Sequence, residues 1–147
     1  MKLLSQYFKY IIDDIPPSNN KFKGRQNHWE YRELKKQWEA IVYYQCRPRP
    51  PKPLNNVYVK ITYFFPTTHR RDPDNYNGVF LLDGLVKAGV LKDDSFGCIT
   101  LLLDGKHDEH KPRTEIEIME RVKNNGEKLN ETASTQESKR GSKRRSK

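Results

Sequence analysis

The sequence predicts an α+β domain, a sheet with helices on it, in the order β-α-β-α-β-β. Three observations carry that prediction. Trp29 to Gln45 repeats its apolar side chains with a helical period. Val57 to Phe65 alternates with a period of two. Two further β-rich runs follow a second helical stretch. A chain of 147 residues fits one domain and can bury a real core.

Ser5 to Asp13 is rich in aromatic and β-branched types and reads as a first strand. Pro16-Pro17 ends it, because neither proline can donate to a ladder. A basic loop follows from Lys21 to His28. In the first helix Tyr31, Leu34, Trp38, Ile41 and Val42 fall on one face of a 3.6-residue period. Asn27 with Glu30 suits a capping pair at its start. Arg47 to Pro53 holds four prolines and reads as a stiff spacer, with a proline-ligand role the less common alternative.

Val57, Val59, Ile61, Tyr63 and Phe65 share one face of the second strand. A second helix is predicted over Asn75 to Ala88, with Gly89 as its stop. Gly97 to Leu103 and Thr114 to Met119 read as strands, and the turn-like Asp104 to Pro112 predicts a hairpin between them. Residues 1–122 form the folded domain in this reading. Residues 123–147 lack the apolar content to offset the entropy of ordering and read as a disordered basic tail.

The net charge is +9, from 28 Lys/Arg against 19 Asp/Glu. Residues 122–147 hold eight basic and three acidic side chains, or +5, which leaves +4 on residues 1–121. Charge of one sign on both parts points to a polyanion, with a solubility surface as the plain alternative. No run approaches the roughly 18 apolar residues of a membrane span, and the N-terminus has no secretory core, so a cytoplasmic protein is expected. Cys46 and Cys98 are too few for a disulfide framework and read as packed free thiols. No glycine-rich nucleotide loop and no nucleophile elbow occurs.

The chemistry-bearing segment is Arg70-Arg71-Asp72-Pro73-Asp74-Asn75. Pro73 pushes Asp72 out of the helical region, and in extended chain side chains two apart point the same way. Asp93-Asp94 follows the second helix, and six extended residues are long enough to carry Asp94 back beside Asp72 and Asp74. Carboxylates that converge repel one another unless a cation sits between them. A hard cation, Mg²⁺ or Mn²⁺, takes such oxygens and leaves positions for water and a phosphate. The bland alternative is a turn and helix cap at Asp72 and Asp74, with a solvated loop at Asp93-Asp94. A second polar cluster, Asp104, His107, Asp108, Glu109 and His110, reads mainly as a solvated hairpin loop.

At these residues the chain resembles the RusA family of Holliday junction resolvases, in particular its phage and prophage members. The resemblance rests on Ile15-Pro16-Pro17-Ser18-Asn19-Asn20, Arg71-Asp72-Pro73-Asp74-Asn75, Leu82-Asp83-Gly84-Leu85 and Lys87-Ala88-Gly89-Val90, running into Asp93-Asp94. It implies a mixed sheet flanked by helices and a homodimer that nicks four-way DNA junctions with Mg²⁺. The catalytic aspartates of the family correspond to Asp72, Asp74 and Asp94, with Asp93 as an adjacent metal ligand. Arg70, Arg71, Lys21, Lys23, Arg25, Lys87 and Lys92 are the expected DNA contacts. One departure stands out: the family usually has a lysine a turn after its Asp-Asn, and here that stretch is Tyr76-Asn77-Gly78-Val79. A non-catalytic binder of branched nucleic acid is the competing reading, although such a module has no need of four carboxylates.

Overall fold

The computed structural model describes residues 6–19 and 28–121. Its elements are β1 (Tyr7–Ile12), α1 (His28–Gln45), β2 (Val57–Phe65), a 3-10 turn (Pro73–Asn75), α2 (Val79–Lys87), β3 (Ile99–His107) and β4 (Arg113–Glu120). Asn27, the expected cap of α1, and the expected tail lie outside the described residues. No helix among the described residues is long and apolar enough to cross a membrane.

The fold class is as expected, with a mixed four-stranded sheet in the order β1-β4-β2-β3. β2 pairs in parallel with β3, while β4 runs antiparallel to both β1 and β2. The alternation read in β2 is real: Val57, Val59, Ile61, Tyr63 and Phe65 are all buried. Trp38 and Val42 of α1 close over the core, with Tyr31, Leu34 and Ile41 packed at its margin. α1 and α2 approach closely at Gly84, where an added Cβ would stand 2.9 Å from Val42. They run alongside in the same sense, with Tyr31 against Phe80 near their starts and Glu39 against Lys87 near their ends.

Three expectations change. The hairpin does not form, because β2 lies between β3 and β4. Residues 108–112 instead cross the end of β2, where the Asp108 N–H donates to the Phe65 carbonyl at 2.8 Å. β3 also continues through Asp104 to His107, so those residues are strand and not turn. Finally, α2 begins at Val79 rather than Asn75. Gly78 is left-handed at φ 81°, and the Asn77 side chain accepts from the Val79 N–H at 3.1 Å, which sets the start there.

The proline segment is more than a spacer: the Tyr10 hydroxyl donates to the Pro48 carbonyl at 2.8 Å, and Leu54 bridges to Leu91. Both cysteines are free; Cys46 is buried, and burial pushes its thiol up to about 12.

Arg113 pins the crossing link. Its guanidinium lies 3.7 Å from the Phe64 ring centroid and donates to Glu115 at 2.7 Å and to Asp108 at 2.8 Å. Partial burial would raise the Glu115 carboxyl, but hydrogen bonds from Arg113 and Lys9 outweigh it and hold the group below its ordinary value. A depressed carboxylate pKa contributes stability above the unfolded value, and that stability is lost as pH falls through the folded one. Arg113→Met should therefore melt at a lower temperature than the parent at pH 7, and the gap should close below about pH 4, near the unfolded carboxylate value. A gap independent of pH in thermal melts would assign the loss to packing on Phe64 alone.

Candidate active site

Beyond β2 the chain turns at Pro66 and comes back over the sheet at Asp72. Asp72 is extended, with φ −107° and ψ 143°, and Pro73 to Asn75 wind into the 3-10 turn behind it. The Asn75 N–H closes on the Asp72 carbonyl at 3.0 Å. Proline explains both halves: its fixed φ suits a first turn position, and its ring bars Asp72 from the helical region. Asp74 stands inside that turn, so the two carboxylates do not share one face of an extended chain as expected. Asp72 is half-exposed and Asp74 exposed.

Tyr76 anchors the turn, its ring 5.7 Å from that of Tyr63 and 5.1 Å from that of Phe65. Together with Arg71, Asp72 and Leu103 these rings line a recess of about 200 Å³. Burial pushes the Tyr63 hydroxyl well above its ordinary range, so it stays protonated. Phe65 and Tyr63 were legible as core from the period of two. Their use as the wall of a recess was not, because Tyr76 reaches them from a turn without any repeat.

The two arginines divide their tasks. Arg71 donates to the Thr67 and His69 carbonyls, both at 3.1 Å, and to the Thr67 hydroxyl at 2.7 Å. Its guanidinium also lies 4.3 Å from the Phe65 ring centroid, so it ties the loop to the sheet. Among the described residues Arg70 meets only the Asp72 carboxylate, at 3.2 Å, with its side chain 89% exposed. Arg70 is the guanidinium that faces solvent beside the acidic turn.

Asp93 and Asp94 sit elsewhere. The Lys92 N–H donates to the Leu54 carbonyl at 2.8 Å and the Val57 N–H to the Cys98 carbonyl at 3.0 Å, which fixes their loop at the start of β2. Asp72 instead lies by Tyr63, six residues along the same strand, about 20 Å away. Residues 89–94 thus continue from α2 to the far end of the sheet instead of retracing it. Among the described residues, no three of His, Cys, Asp and Glu come together to hold a metal.

Lys87 pairs with Glu39 at 3.6 Å and lies, with Lys92, at the Asp93-Asp94 end. Lys21, Lys23 and Arg25 are outside the described residues. In the second polar cluster, His107 is on β3 with Nε2 3.3 Å from the Pro66 carbonyl, and His110 stands exposed beside Glu109.

The donor chemistry of the turn nonetheless suits a hard cation. Asp72 and Asp74 offer carboxylate oxygens, and Asn75 Oδ1 is buried with no hydrogen-bond partner among the described residues. Gly78, one turn on, accepts a lysine only with backbone strain and a shift of the Ile61 side-chain tip. A Cβ there would stand 2.7 Å from Ile61 Cδ1, on a left-handed backbone. Gly78→Lys should accordingly lower stability by about 2–4 kcal/mol, from overpacking plus backbone strain. Urea denaturation checks this, and an unchanged midpoint would contradict it.

Hard oxygens and an open guanidinium on a mixed sheet, in a basic chain, suit a phosphodiester ligand and so the class of proteins that act on nucleic acid. The chain belongs to the RusA endodeoxyribonuclease family: residues 14–119 match the family described as Endodeoxyribonuclease RusA. No curated protein sequence matches it.

Proposed function

We propose that the chain is a structure-specific endodeoxyribonuclease that resolves four-way DNA junctions by paired phosphodiester hydrolysis. It works as a homodimer with Mg²⁺, for which Mn²⁺ substitutes, in the cytoplasm of a bacterial host and from a phage or prophage gene. What carries the reading is the acidic turn Asp72 to Asn75, fixed against the sheet by Tyr76 and flanked by the exposed Arg70, in a chain of the RusA family.

Asp72 and Asp74 would hold the cation, with Asp94 and the adjacent Asp93 completing the carboxylate set. Since Asp94 is anchored at the other end of β2, a second copy supplies it, and a homodimer then holds two equivalent sites for two strands. When bound, the cation supplies charge against the phosphate and lowers the pKa of a water. Arg70 grips a non-bridging phosphate oxygen with its forked donors. Arg71 keeps the loop in place for it.

The direct test is cleavage of a labelled four-way junction with and without Mg²⁺. Binding without cleavage under any divalent cation would leave the non-catalytic reading. The basic tail has its own test. Deleting residues 123–147 removes eight basic and three acidic side chains. The salt slope of junction binding should fall by about 4–5 through lost counterion release. An unchanged slope would show that the tail does not touch DNA.

A further inference from the structure

The last turn of α1 carries two tyrosines that the core does not use. Trp38 and Val42 are the buried residues of the helix, while Tyr43 and Tyr44 are 43% and 69% exposed. Their rings meet edge to face, with centroids 5.2 Å apart. Two adjacent rings left in water form a patch, not a stray apolar residue.

Two guanidiniums accompany these rings. Arg49 lies 4.2 Å from the Tyr43 centroid and donates to the Tyr43 carbonyl at 2.9 Å, which fixes it over the ring. Arg47 stands between the two tyrosines, 5.7 Å from one centroid and 5.9 Å from the other. The segment that bears both arginines is anchored to the core. Cys46 is buried, and the Tyr10 hydroxyl donates to the Pro48 carbonyl at 2.8 Å. Among the described residues no carboxylate pairs with Arg47 or Arg49. Their charge is left for a partner.

The combination selects the partner. An apolar protein surface would cover the rings but strip water from two unpaired cations. An acidic protein would answer the cations and leave the π-faces without a matching group. Nucleic acid supplies both, a phosphate for the guanidiniums and a base for the rings. The base has to be unpaired, because within a duplex its faces are taken by its neighbours in the stack. The cluster lies against β1, at one edge of the sheet, whereas the acidic turn lies over β2 and β3 at the other.

We infer that Tyr43, Tyr44, Arg47 and Arg49 form a second nucleic-acid site, which stacks unpaired bases of a single strand on the tyrosines and holds its phosphates with the arginines. The site goes beyond cutting, since a strand binds there without a cation and without hydrolysis.

The experiment uses the full chain in EDTA, with labelled oligothymidylate as the probe and an abasic strand of equal length beside it. By fluorescence anisotropy the parent should bind oligothymidylate at least about 5-fold more tightly than the abasic strand. Tyr44→Ala should weaken oligothymidylate binding by about 5- to 100-fold, the scale of one base stacked on a ring, and narrow the gap between the strands. Tyr44→Phe should stay near the parent. Tyr44→Leu should fall with Tyr44→Ala, because it keeps apolar area and loses the π-face. The salt slope should hold in Tyr44→Ala and drop by about 0.7 in Arg47→Ala, one single-strand phosphate. That pair of slopes separates the site from the basic tail, which offers charge without rings. Both positions are exposed, so thermal melts of these variants should match the parent's. Oligothymidylate bound equally by the parent and Tyr44→Ala overturns the inference, as does an abasic strand bound equally well by the parent. Polyglutamate bound through Tyr44 in place of oligothymidylate would overturn it in favour of an acidic protein. Cleavage is not read, so the nuclease reading stands or falls by its own test.

Discussion

Asp72→Asn and Asp94→Asn are each expected to abolish junction cleavage, by about 10³-fold or more, while leaving junction binding intact or slightly tighter. Asparagine keeps the shape and removes the charge that holds the cation, and one negative charge fewer eases the approach of phosphate. Asp74→Asn should behave alike. The two inactive proteins should then complement each other when mixed. In a mixed dimer whose sites draw Asp72 from one copy and Asp94 from the other, one site carries both substitutions and its twin carries none. Mixing should therefore restore nicking of one strand without paired resolution. If each site lay within one copy, both sites of the mixed dimer would be damaged and no nicking would return. Either single variant cutting at the parent's rate would sink the carboxylate assignment itself.

The second large effect belongs to Arg70. Its side chain is 89% exposed and, among the described residues, bonded only to Asp72, so it suits a phosphate contact where the lysine that the resemblance leads one to expect is missing. Arg70→Ala should lower the cleavage rate at saturating junction by about 10²- to 10³-fold, the scale of a single electrostatic donor in a transition state. Arg70→Lys should recover part of that, since a point charge replaces a fork. Arg71→Ala should also slow cleavage, through release of the Thr67 and His69 carbonyls that its guanidinium holds. The two are separable by proteolysis of the loop, which Arg71→Ala should accelerate and Arg70→Ala should not. If Arg70→Ala alters affinity alone, the cation acts without a guanidinium.

Elements with a strong internal repeat are legible in the amino-acid order alone. α1 and β2 fall where the helical and two-residue periods put them, because each repeat encodes one buried face and needs no knowledge of its partner. The acidic segment is legible too, as is the stop at Gly89, since only a left-handed position there ends α2 so abruptly. The start of α2 is not. Asn75 carries no mark that distinguishes a 3-10 turn from a first helical turn, and the start is set beyond it, where Gly78 is left-handed and the Asn77 side chain accepts from the Val79 N–H.

Pairing is the larger omission. The polar run after β3 suits a hairpin turn and a crossing link equally well, and the choice between them is a contest for the two edges of β2. The sequence by itself determined the alternating face of β2, the family and the carboxylates that the chain carries. Tertiary structure alone decided that β4 takes one edge of β2 and β3 the other. It also decided that Asp72 and Asp94 lie at opposite ends of that pair. Periodicity reports how one element meets a core, whereas strand order and the distance between two loops depend on contacts between residues far apart in the chain.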